Sequence, residues 1–252
     1  MSGDYDRFSR YLDGGEADLT TRLGIFPGAR LLDIGCGSGV FALEAARTGA
    51  LVSGVDIAPN CIERAVKRAT DANLAIDFRE GDADSLPYPD ATFDFVTSSF
   101  GAMFSPGPER VAFEMVRVCK PGGVVSMCNW TPLGFAGQMN KVVARHVAPP
   151  FEPSPFLWGD EFTVRQRFNG MVTNLRMVRR EFTFEYPYPP ASVVELFREN
   201  YGPLVAAFAR IDCTARRALR ADLDALWTRH NVCGKGTTSV KAEALEITAT
   251  RA

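Results

Sequence analysis

Residues 31–39 read Leu-Leu-Asp-Ile-Gly-Cys-Gly-Ser-Gly, and this stretch decides the fold. A short apolar run ends in three glycines, and residues 39–49, Gly-Val-Phe-Ala-Leu-Glu-Ala-Ala-Arg-Thr-Gly, follow with helical spacing. Glycine lets a backbone turn tightly and approach a ligand closely, because it has no side chain. The pattern predicts a strand, a glycine turn and a helix, with a ligand site at the turn.

The spacing of the glycines distinguishes between classes of nucleotide site. A dinucleotide fingerprint is Gly-x-Gly-x-x-Gly, but here the third glycine is Gly39, and Val40 stands where the fingerprint ends. No Gly-Lys-Ser/Thr follows, which excludes a phosphate-binding P-loop. The turn therefore differs from that of both NAD-binding and nucleoside-triphosphate-binding folds.

Outward from the turn, strand patterns alternate with helical ones. A helical stripe ending at Val118 stops before residues 121–123, Pro-Gly-Gly, which we expect to separate it from a fifth strand. This alternation predicts an α/β fold with a doubly wound, mostly parallel sheet and helices on both faces. With two late strands, near 177–186 and at 239–252, the sheet has seven strands. The first five are predicted at 30–34, 51–57, 74–82, 93–99 and 124–130.

Two further acids follow the predicted strands. Asp56 comes 23 positions after Asp33, and Asp82 ends the third strand. In mononucleotide-binding units, an acid at about 20 residues from the turn binds the ribose, and ligands collect at the carboxyl edge of the sheet. A glycine turn with two such acids suits a nucleoside without phosphates.

The sequence changes character after Trp130. Residues 131–159 hold five prolines with aromatic residues between them, and loops of this kind often cover pockets. We therefore predict four regions, namely an N-terminal helical lid segment, a cofactor-binding core, an α-rich aromatic cap and the last strand. Their predicted boundaries are 1–27, 28–130, 131–238 and 239–252.

Composition excludes several functions. The chain of 252 residues has a net charge of −2 without runs of like charge, which argues against nucleic-acid binding. Its six cysteines form no Cys-x-x-Cys pair and its two histidines stand apart from them, so no metal site is predicted. No apolar stretch reaches the ~18 residues of a membrane span. With its polar start, the chain is expected to be cytoplasmic, as a monomer or homodimer.

The order of motifs resembles a known family. The runs LLDIGCGSG, VDI, EGDADSLPYPDATFDFVTSSFG and RVCKPGG look like the successive motifs of class I S-adenosylmethionine-dependent methyltransferases. Within that class the chain resembles the methyltransferase type 11 group, which includes quinone-biosynthesis C-methyltransferases. The later runs SSFGAMF, NWTPLGF, PFLWG and AEALEITATR resemble a branch of small-molecule methyltransferases with an aromatic cap. The resemblance implies a Rossmann-like methyltransferase fold.

The resemblance also implies roles at the first two strands. Asp33 would anchor the methionine end of S-adenosylmethionine, while Gly35 and Gly37 let the backbone pass under the cofactor. Asp56 would bind both ribose hydroxyls, and Ile57 would pack on one face of the adenine. The alternative for each acid is a helix N-cap or a solvated strand end.

Further roles follow at the third and fourth strands. Asp82 would accept a hydrogen bond from the adenine amino group, and the backbone of Ala83 would recognise the adenine ring. Ser98 or Ser99 would close the site from the fourth strand. The product would be S-adenosylhomocysteine, and no metal is expected.

The acceptor side is less defined by sequence. Methyl transfer from a sulfonium is an in-line displacement, so the protein mainly aligns the acceptor and excludes water. For a hydroxyl acceptor His146 is the candidate base, although a structural role is the commoner one for a lone histidine. Phe104, Trp130 and Trp158 are candidates to line an aromatic or apolar acceptor pocket, or else make core.

Arginine content offers no clear acceptor signal. Arginines in the cap region are candidates to recognise an acidic acceptor, but scattered arginines at this density usually lie on a solvated surface. The four are Arg165, Arg167, Arg179 and Arg180.

Three functions are weighed. The favoured one is a metal-independent methyltransferase that uses S-adenosylmethionine and acts on a small organic acceptor. A non-catalytic S-adenosylmethionine-binding module is the first alternative. An NAD-dependent oxidoreductase is the second, and Val40 and the lack of a Tyr-x-x-x-Lys constellation disfavour it.

Overall fold

The computed structural model describes residue 11 and residues 16–149, 152–234 and 236–252. Much of the predicted lid segment, residues 1–10 and 12–15, lies outside the described residues. The lid role of that segment stays a prediction.

Helices and strands alternate through the first half of the described chain. The strands are β1 Arg30–Ile34, β2 Leu51–Asp56, β3 Ile76–Glu80, β4 Phe93–Ser99, β5 Cys119–Trp130, β6 Val172–Tyr186 and β7 Thr238–Arg251. The helices are α1 Glu16–Leu23, α2 Val40–Arg47, α3 Pro59–Asp71, α4 Pro108–Val118, α5 Phe135–Ala144, α6 Glu161–Arg167, α7 Pro190–Asn200, α8 Gly202–Ala209 and α9 Cys213–His230. Two 3₁₀ helices are η1 Ala102–Phe104 and η2 Pro155–Gly159.

The strands form one seven-stranded sheet in the order β3-β2-β1-β4-β5-β7-β6. The pairs β3-β2, β2-β1, β1-β4 and β4-β5 are parallel. Strands β6 and β7 pair antiparallel: the Ala252 N–H donates to the Met171 carbonyl, and the Thr173 hydroxyl donates to the Thr250 carbonyl. The predicted doubly wound, mostly parallel seven-stranded fold is confirmed.

Chain contacts divide the protein into two compact units. The first comprises residues 1–14, 130–154 and 180–244, and the second residues 15–129, 155–179 and 245–252. The glycine turn lies in the second unit. Residues 155–179, which fall within the predicted cap, also belong to the second unit.

The second unit has its core where helix α2 packs on the sheet. Phe41, Ala42 and Ala45 lie on one face of α2 and pack against Leu31 and the strands beside it. Burying side chains of this kind contributes about 1.5–3 kcal/mol for each large one. This packing fixes the start of α2, and with it the turn that precedes the helix.

In the first unit an aromatic cluster forms the core. Trp227, on the buried stripe of α9, is surrounded by rings, with centroids 4.6 Å away for Phe135 and 5.0 Å away for Phe197. Phe184 and Tyr186 of β6 join them at 6.2 and 6.1 Å. The buried residues of α9 form one helical stripe, and Phe184 and Tyr186 are the buried positions at the alternating end of β6.

Strand β5 begins earlier than the sequence pattern predicts. The expected start at residue 124 is wrong, because pairing with β4 begins at Cys119. Phe93 pairs with Cys119, whereas Phe95 pairs with Val124, so the Pro-Gly-Gly segment forms a bulge inside the strand. Gly122 permits this with a φ of 76°. Strand β6 likewise begins at Val172, earlier than expected.

Candidate cofactor site

The turn after β1 requires its glycines. Gly35, Gly37 and Gly39 have φ values of 65°, 54° and 81°, in the left-handed region that favours glycine. Gly35 donates a hydrogen bond of 2.8 Å to the carbonyl of Val55, which ties the turn to β2. At Gly39 a Cβ would lie 2.8 Å from the Phe78 ring, so this glycine is needed for close packing.

Gly35 also touches the loop after β4. A Cβ at Gly35 would lie 2.7 Å from the Cα of Gly101, and a Cβ at Gly101 would lie 2.4 Å from the carbonyl oxygen of Gly35. Two loops of different strands therefore meet backbone to backbone. Sequence reasoning assigned no role to Gly101; the glycine in the run SSFG was its only local signal.

Asp56 lies at the end of β2 and holds the turn. Its Oδ2 accepts a hydrogen bond of 2.9 Å from the Gly37 N–H, and its Oδ1 accepts one of 2.9 Å from the Ala58 N–H. A carboxylate has about four lone-pair sites, so both oxygens keep acceptor capacity. Beside it the Ile57 side chain is 57% exposed, an apolar surface next to a charged group. That Asp56 binds the ribose and Ile57 packs on the adenine stays a prediction.

Asp33 is buried at 2% exposure in the middle of the sheet, in register with Gly54 of β2 and Thr97 of β4. Burial, followed by the charges of Asp33 and Asp56, raises the pKa of the Cys36 thiol well above its usual range. The thiol is therefore neutral at physiological pH. This shared influence shows that the structure brings Asp33 and Asp56 close to the same turn.

The loop after β3 carries Asp82 and Ala83 at the same edge, because β3 pairs in parallel with β2. The Asp82 carboxylate accepts a hydrogen bond of 3.3 Å from the Asp84 N–H. Burial, with the nearby charge of Asp82, raises the pKa of Asp84. Both predicted residues are half-buried.

Glu114 fixes that loop from helix α4. Its buried carboxylate accepts a hydrogen bond of 2.7 Å from the Leu86 N–H and pairs with Arg117 at 2.6 Å. Sequence reasoning missed Glu114, because nothing local marks an acid within an amphipathic helix as a loop anchor.

The Ser98 hydroxyl forms hydrogen bonds with two backbone groups of the protein. It donates a hydrogen bond of 2.7 Å to the carbonyl of Ile34 and accepts one of 3.0 Å from the Ala102 N–H. It thus joins the end of β1 to η1. Ser99 is half-buried and in register with Cys128. That either serine contacts the cofactor stays a prediction.

The acceptor candidates fall in different environments. Trp158 in η2 is fully buried, Phe104 in η1 is half-buried, and the two 3₁₀ helices are in contact. Trp130 belongs to the aromatic cluster of the first unit, 5.7 Å from Phe182 and from Phe184 between ring centroids. Their roles toward an acceptor stay predictions.

His146 pairs with an acid in the first unit. Its Nε2 lies 2.8 Å from Oδ2 of Asp222 on helix α9. The carboxylate orients the ring through this contact. A role as general base stays a prediction.

The residues at the sheet edge fit S-adenosylmethionine. A Cβ at Gly37 would meet nothing within 4 Å, so space is open above the turn. The Asp56 carboxylate accepts a hydrogen bond from the Gly37 N–H at this space, and the loops that follow β2 and β3 lie at the same edge of the sheet. Within the part of the chain that the structure describes, no cluster of histidine, cysteine and acidic residues suits a metal ion. The described helices include none long and apolar enough to cross a membrane.

The chain is similar to known proteins over the region that contains the glycine turn. The family model of the methyltransferase domain, Methyltransf_11, matches residues 32–127, which include the turn and both acid-bearing loops. An uncharacterised protein of Mycobacterium tuberculosis is 37% identical over 209 residues, or 82% of this chain and 75% of that protein. Demethylmenaquinone methyltransferase of Deinococcus radiodurans is 37% identical over 124 residues, 48% of this chain and 52% of that enzyme.

A solved structure extends the likeness to the fold. Phosphoethanolamine N-methyltransferase 2 of Haemonchus contortus, in complex with phosphomonomethylethanolamine and S-adenosylhomocysteine, matches with a TM-score of 0.60 at 17% identity. The match covers 94% of this chain and 52% of that one. With its domain match, its fold and its relatives, the chain belongs to the class I S-adenosylmethionine-dependent methyltransferases of the Methyltransf_11 type.

Proposed function

We propose that the protein transfers a methyl group from S-adenosylmethionine to a small organic acceptor of aromatic or apolar character, without a metal ion. The observation that carries the proposal is the Asp56 carboxylate, half-buried and fixed by two backbone N–H groups beside the open space at Gly37. A carboxylate fixed in this way is preorganised to accept hydrogen bonds from a diol.

The chain offers a group for each part of the cofactor. In this proposal Asp33 would hold the amino acid end, Asp56 the ribose and Ile57 the adenine face. The loop of Asp82 and Ala83 would hold the adenine edge. Gly35 and Gly37 keep the floor free of side chains. These assignments rest on position at the carboxyl edge of parallel strands, where open α/β folds collect their ligands.

When bound, the cofactor would supply an electrophilic methyl carbon on a sulfonium; the acceptor atom bonds to this carbon as the carbon–sulfur bond breaks, and S-adenosylhomocysteine leaves as a neutral thioether. The protein then has to hold the acceptor in line and exclude water. The contact of η1 with η2 places Phe104 and Trp158 in neighbouring segments. The half-buried Phe104 is suited to the flat face of an apolar acceptor, whereas the ring of the fully buried Trp158 lies under the Arg167 guanidinium. His146 is the sequence's candidate to take the proton of a hydroxyl acceptor, but its Nε2 already contacts Asp222, and we propose a structural role for it instead.

Calorimetric titration with S-adenosylmethionine, S-adenosylhomocysteine and NAD tests the cofactor. We expect the first two to bind and NAD to give no heat. Asp56→Ala is expected to weaken binding of both by about 30-fold, since losing a hydrogen-bonded charged partner costs about 2 kcal/mol. Asp71→Ala is the matched control, because this acid is exposed at the end of α3. Tight NAD binding without a response to the sulfur compounds would refute the proposal.

Product analysis tests the reaction. The protein is incubated with S-adenosylmethionine and a panel of phenols, amines and heteroaromatic compounds, and mass spectrometry detects products heavier by one methyl group. We expect S-adenosylhomocysteine to form only in the presence of a methylated compound. Tight cofactor binding with no turnover across the panel and a cell extract would favour the non-catalytic binding module instead.

A further inference from the structure

One arginine of the second unit is buried without a hydrogen-bonded anion. Arg167 ends helix α6, and the residue is 8% exposed. Its Nε and Nη1 atoms are buried and form no hydrogen bond with any residue that the structure describes. The guanidinium lies over the ring of Trp158, 4.4 Å from the ring centroid. A cation in this position has lost most of its water without gaining a full set of acceptors.

One neighbouring carboxylate lies within ion-pair distance of this charge but does not satisfy its N–H donors. The nearest carboxylate oxygen described is Oε1 of Glu109, 3.6 Å from Nε, which is beyond hydrogen-bond distance. The Glu109 side chain is 72% exposed, so solvent screens its charge. The stacking on Trp158 favours the cation but uses no N–H donor. A buried charge of this kind is costly unless it is paired and hydrogen-bonded.

The indole N–H of Trp158 is likewise buried without an acceptor among the described residues. The residue is fully buried, and its Nε1 has no hydrogen-bond partner among the described residues. Indole and guanidinium nitrogens are donors only. A ligand that satisfies both must therefore present acceptor atoms, and the positive charge of Arg167 selects an anionic one. Carboxylate and phosphate are the oxyanions that match a guanidinium.

Contacts connect this pair to the cofactor edge within the same unit. Trp158 lies in η2, which contacts η1. Helix η1 follows directly on Gly101, the residue whose backbone meets Gly35 of the glycine turn. The donors therefore lie only one short helix away from the loops that surround the cofactor space.

Two of the other three candidate arginines lie at the surface, and the third, Arg180, is half-buried and belongs to the first unit. Arg165, two positions earlier on the same helix, is exposed. Arg179 is also exposed and has Glu161 as its partner at 3.4 Å. Arg167 is thus distinguished by burial and not by its spacing in the sequence.

We propose that Arg167 and Trp158 bind a carboxylate or phosphate group of the methyl acceptor, which makes the acceptor an aromatic or apolar acid. This rests on the proposed methyltransferase function. The oxyanion would receive hydrogen bonds from the guanidinium and the indole. A neutral analogue of the same shape would leave the donors unsatisfied and be rejected.

The test measures ligand-induced stabilisation and affinity in the presence of S-adenosylhomocysteine. The probes are 4-hydroxybenzoate and phenyl phosphate, with 4-hydroxybenzamide as the neutral analogue. Wild-type protein is expected to bind at least one of the acids, and to bind it at least tenfold more tightly than the amide. Arg167→Met is expected to abolish this preference, whereas Arg165→Met keeps it. The two acid probes separate a carboxylate site from a phosphate site.

Stability and cofactor affinity complete the test. If the Arg167 guanidinium serves to bind a ligand, Arg167→Met leaves the melting temperature of the ligand-free protein unchanged or raises it. A large drop would indicate a purely structural arginine and overturn the proposal. Equal binding of acid and amide by wild type, or loss of S-adenosylhomocysteine binding in Arg167→Met, would overturn it as well. If wild type itself does not bind S-adenosylhomocysteine, the proposed function fails first.

Discussion

Two regions of the second unit use polar groups in opposite ways. At the glycine turn, Asp56 and Ser98 already have backbone partners, and Gly35 lies against Gly101 with no space between them. At the second region, which consists of Arg167 and Trp158, the buried N–H donors have no acceptor among the described residues. In the first region the chain itself supplies hydrogen-bond partners for these polar groups. In the second region no described residue supplies an acceptor for the buried donors.

The difference indicates how the two ligands would be handled. A cofactor common to a whole family can bind at a rigid sheet edge whose internal hydrogen bonds are already formed. Little conformational entropy of the protein is then lost on binding. An acceptor specific to one enzyme is selected by groups that become satisfied only when the right ligand is present, since unsatisfied donors penalise every other ligand.

The largest effect is expected for Gly35→Ala. The new Cβ would lie 2.7 Å from the Gly101 Cα, and the backbone there has a φ of 65°. Strain and a clash with backbone atoms that cannot rotate away should cost about 3 kcal/mol or more. We expect a much lower midpoint in urea unfolding and no measurable S-adenosylmethionine binding.

Gly37→Ala is the matched control for that substitution. Its φ of 54° is similar, but a Cβ would meet nothing within 4 Å. Only the strain of about 1–2 kcal/mol remains. The variant should fold and bind the cofactor more weakly. Equal destabilisation by both substitutions would show that the contact with Gly101 is unimportant.

A loss of about 3 kcal/mol is expected for Glu114→Gln, because Arg117 would keep a partly buried charge without its closest partner. Glu44→Gln provides the control, since Glu44 pairs with Arg47 at the same spacing on a more exposed helix face. That change should cost below about 0.5 kcal/mol. Both are measured by urea unfolding at neutral pH.

The Glu114 contribution should also depend on pH. Burial alone would raise the pKa of Glu114, but the hydrogen bonds from Arg117 and the Leu86 N–H outweigh it and hold the pKa below the ordinary value of 4.5. The stabilisation is therefore fully present above pH 4.5 and declines as the pH falls through the lowered pKa. The gap between wild type and Glu114→Gln should narrow in that range. A gap that widens on acidification would contradict the assignment.

Sequence predicts the first region well and the second poorly, for a physical reason. Strand, turn and helix around residues 31–49 follow from local periodicity and glycine chemistry, and the parallel order of strands brings Asp33, Asp56 and Asp82 to one edge. The contact of Arg167 with Trp158 depends on how helix α6 packs, which local spacing does not record. The start of β5 was missed because Pro-Gly-Gly is typical of turns, whereas here it is accommodated as a bulge.

Ser98→Ala should have an intermediate effect. The hydroxyl joins the Ile34 carbonyl to the Ala102 N–H in a buried position, and its loss should cost about 1–2 kcal/mol of unfolding free energy. Because both backbone partners belong to the protein, cofactor affinity should change less than threefold. A tenfold loss in calorimetry, with stability unchanged, would instead place Ser98 in direct contact with the cofactor.

The smallest effect is expected for His146→Gln. A side chain whose partner is supplied by the chain itself is expected to have mainly a structural role. Nε2 of His146 has Asp222 as its partner, and that carboxylate is 47% exposed. An exposed pair of this kind is worth about 0.5 kcal/mol, so the unfolding free energy should fall by about that amount. Turnover of an identified acceptor should stay within threefold, with Asp222→Asn behaving alike. A loss of a hundredfold or more in kcat, with cofactor affinity intact, would instead make His146 the base, because positioned proton transfer contributes about that much.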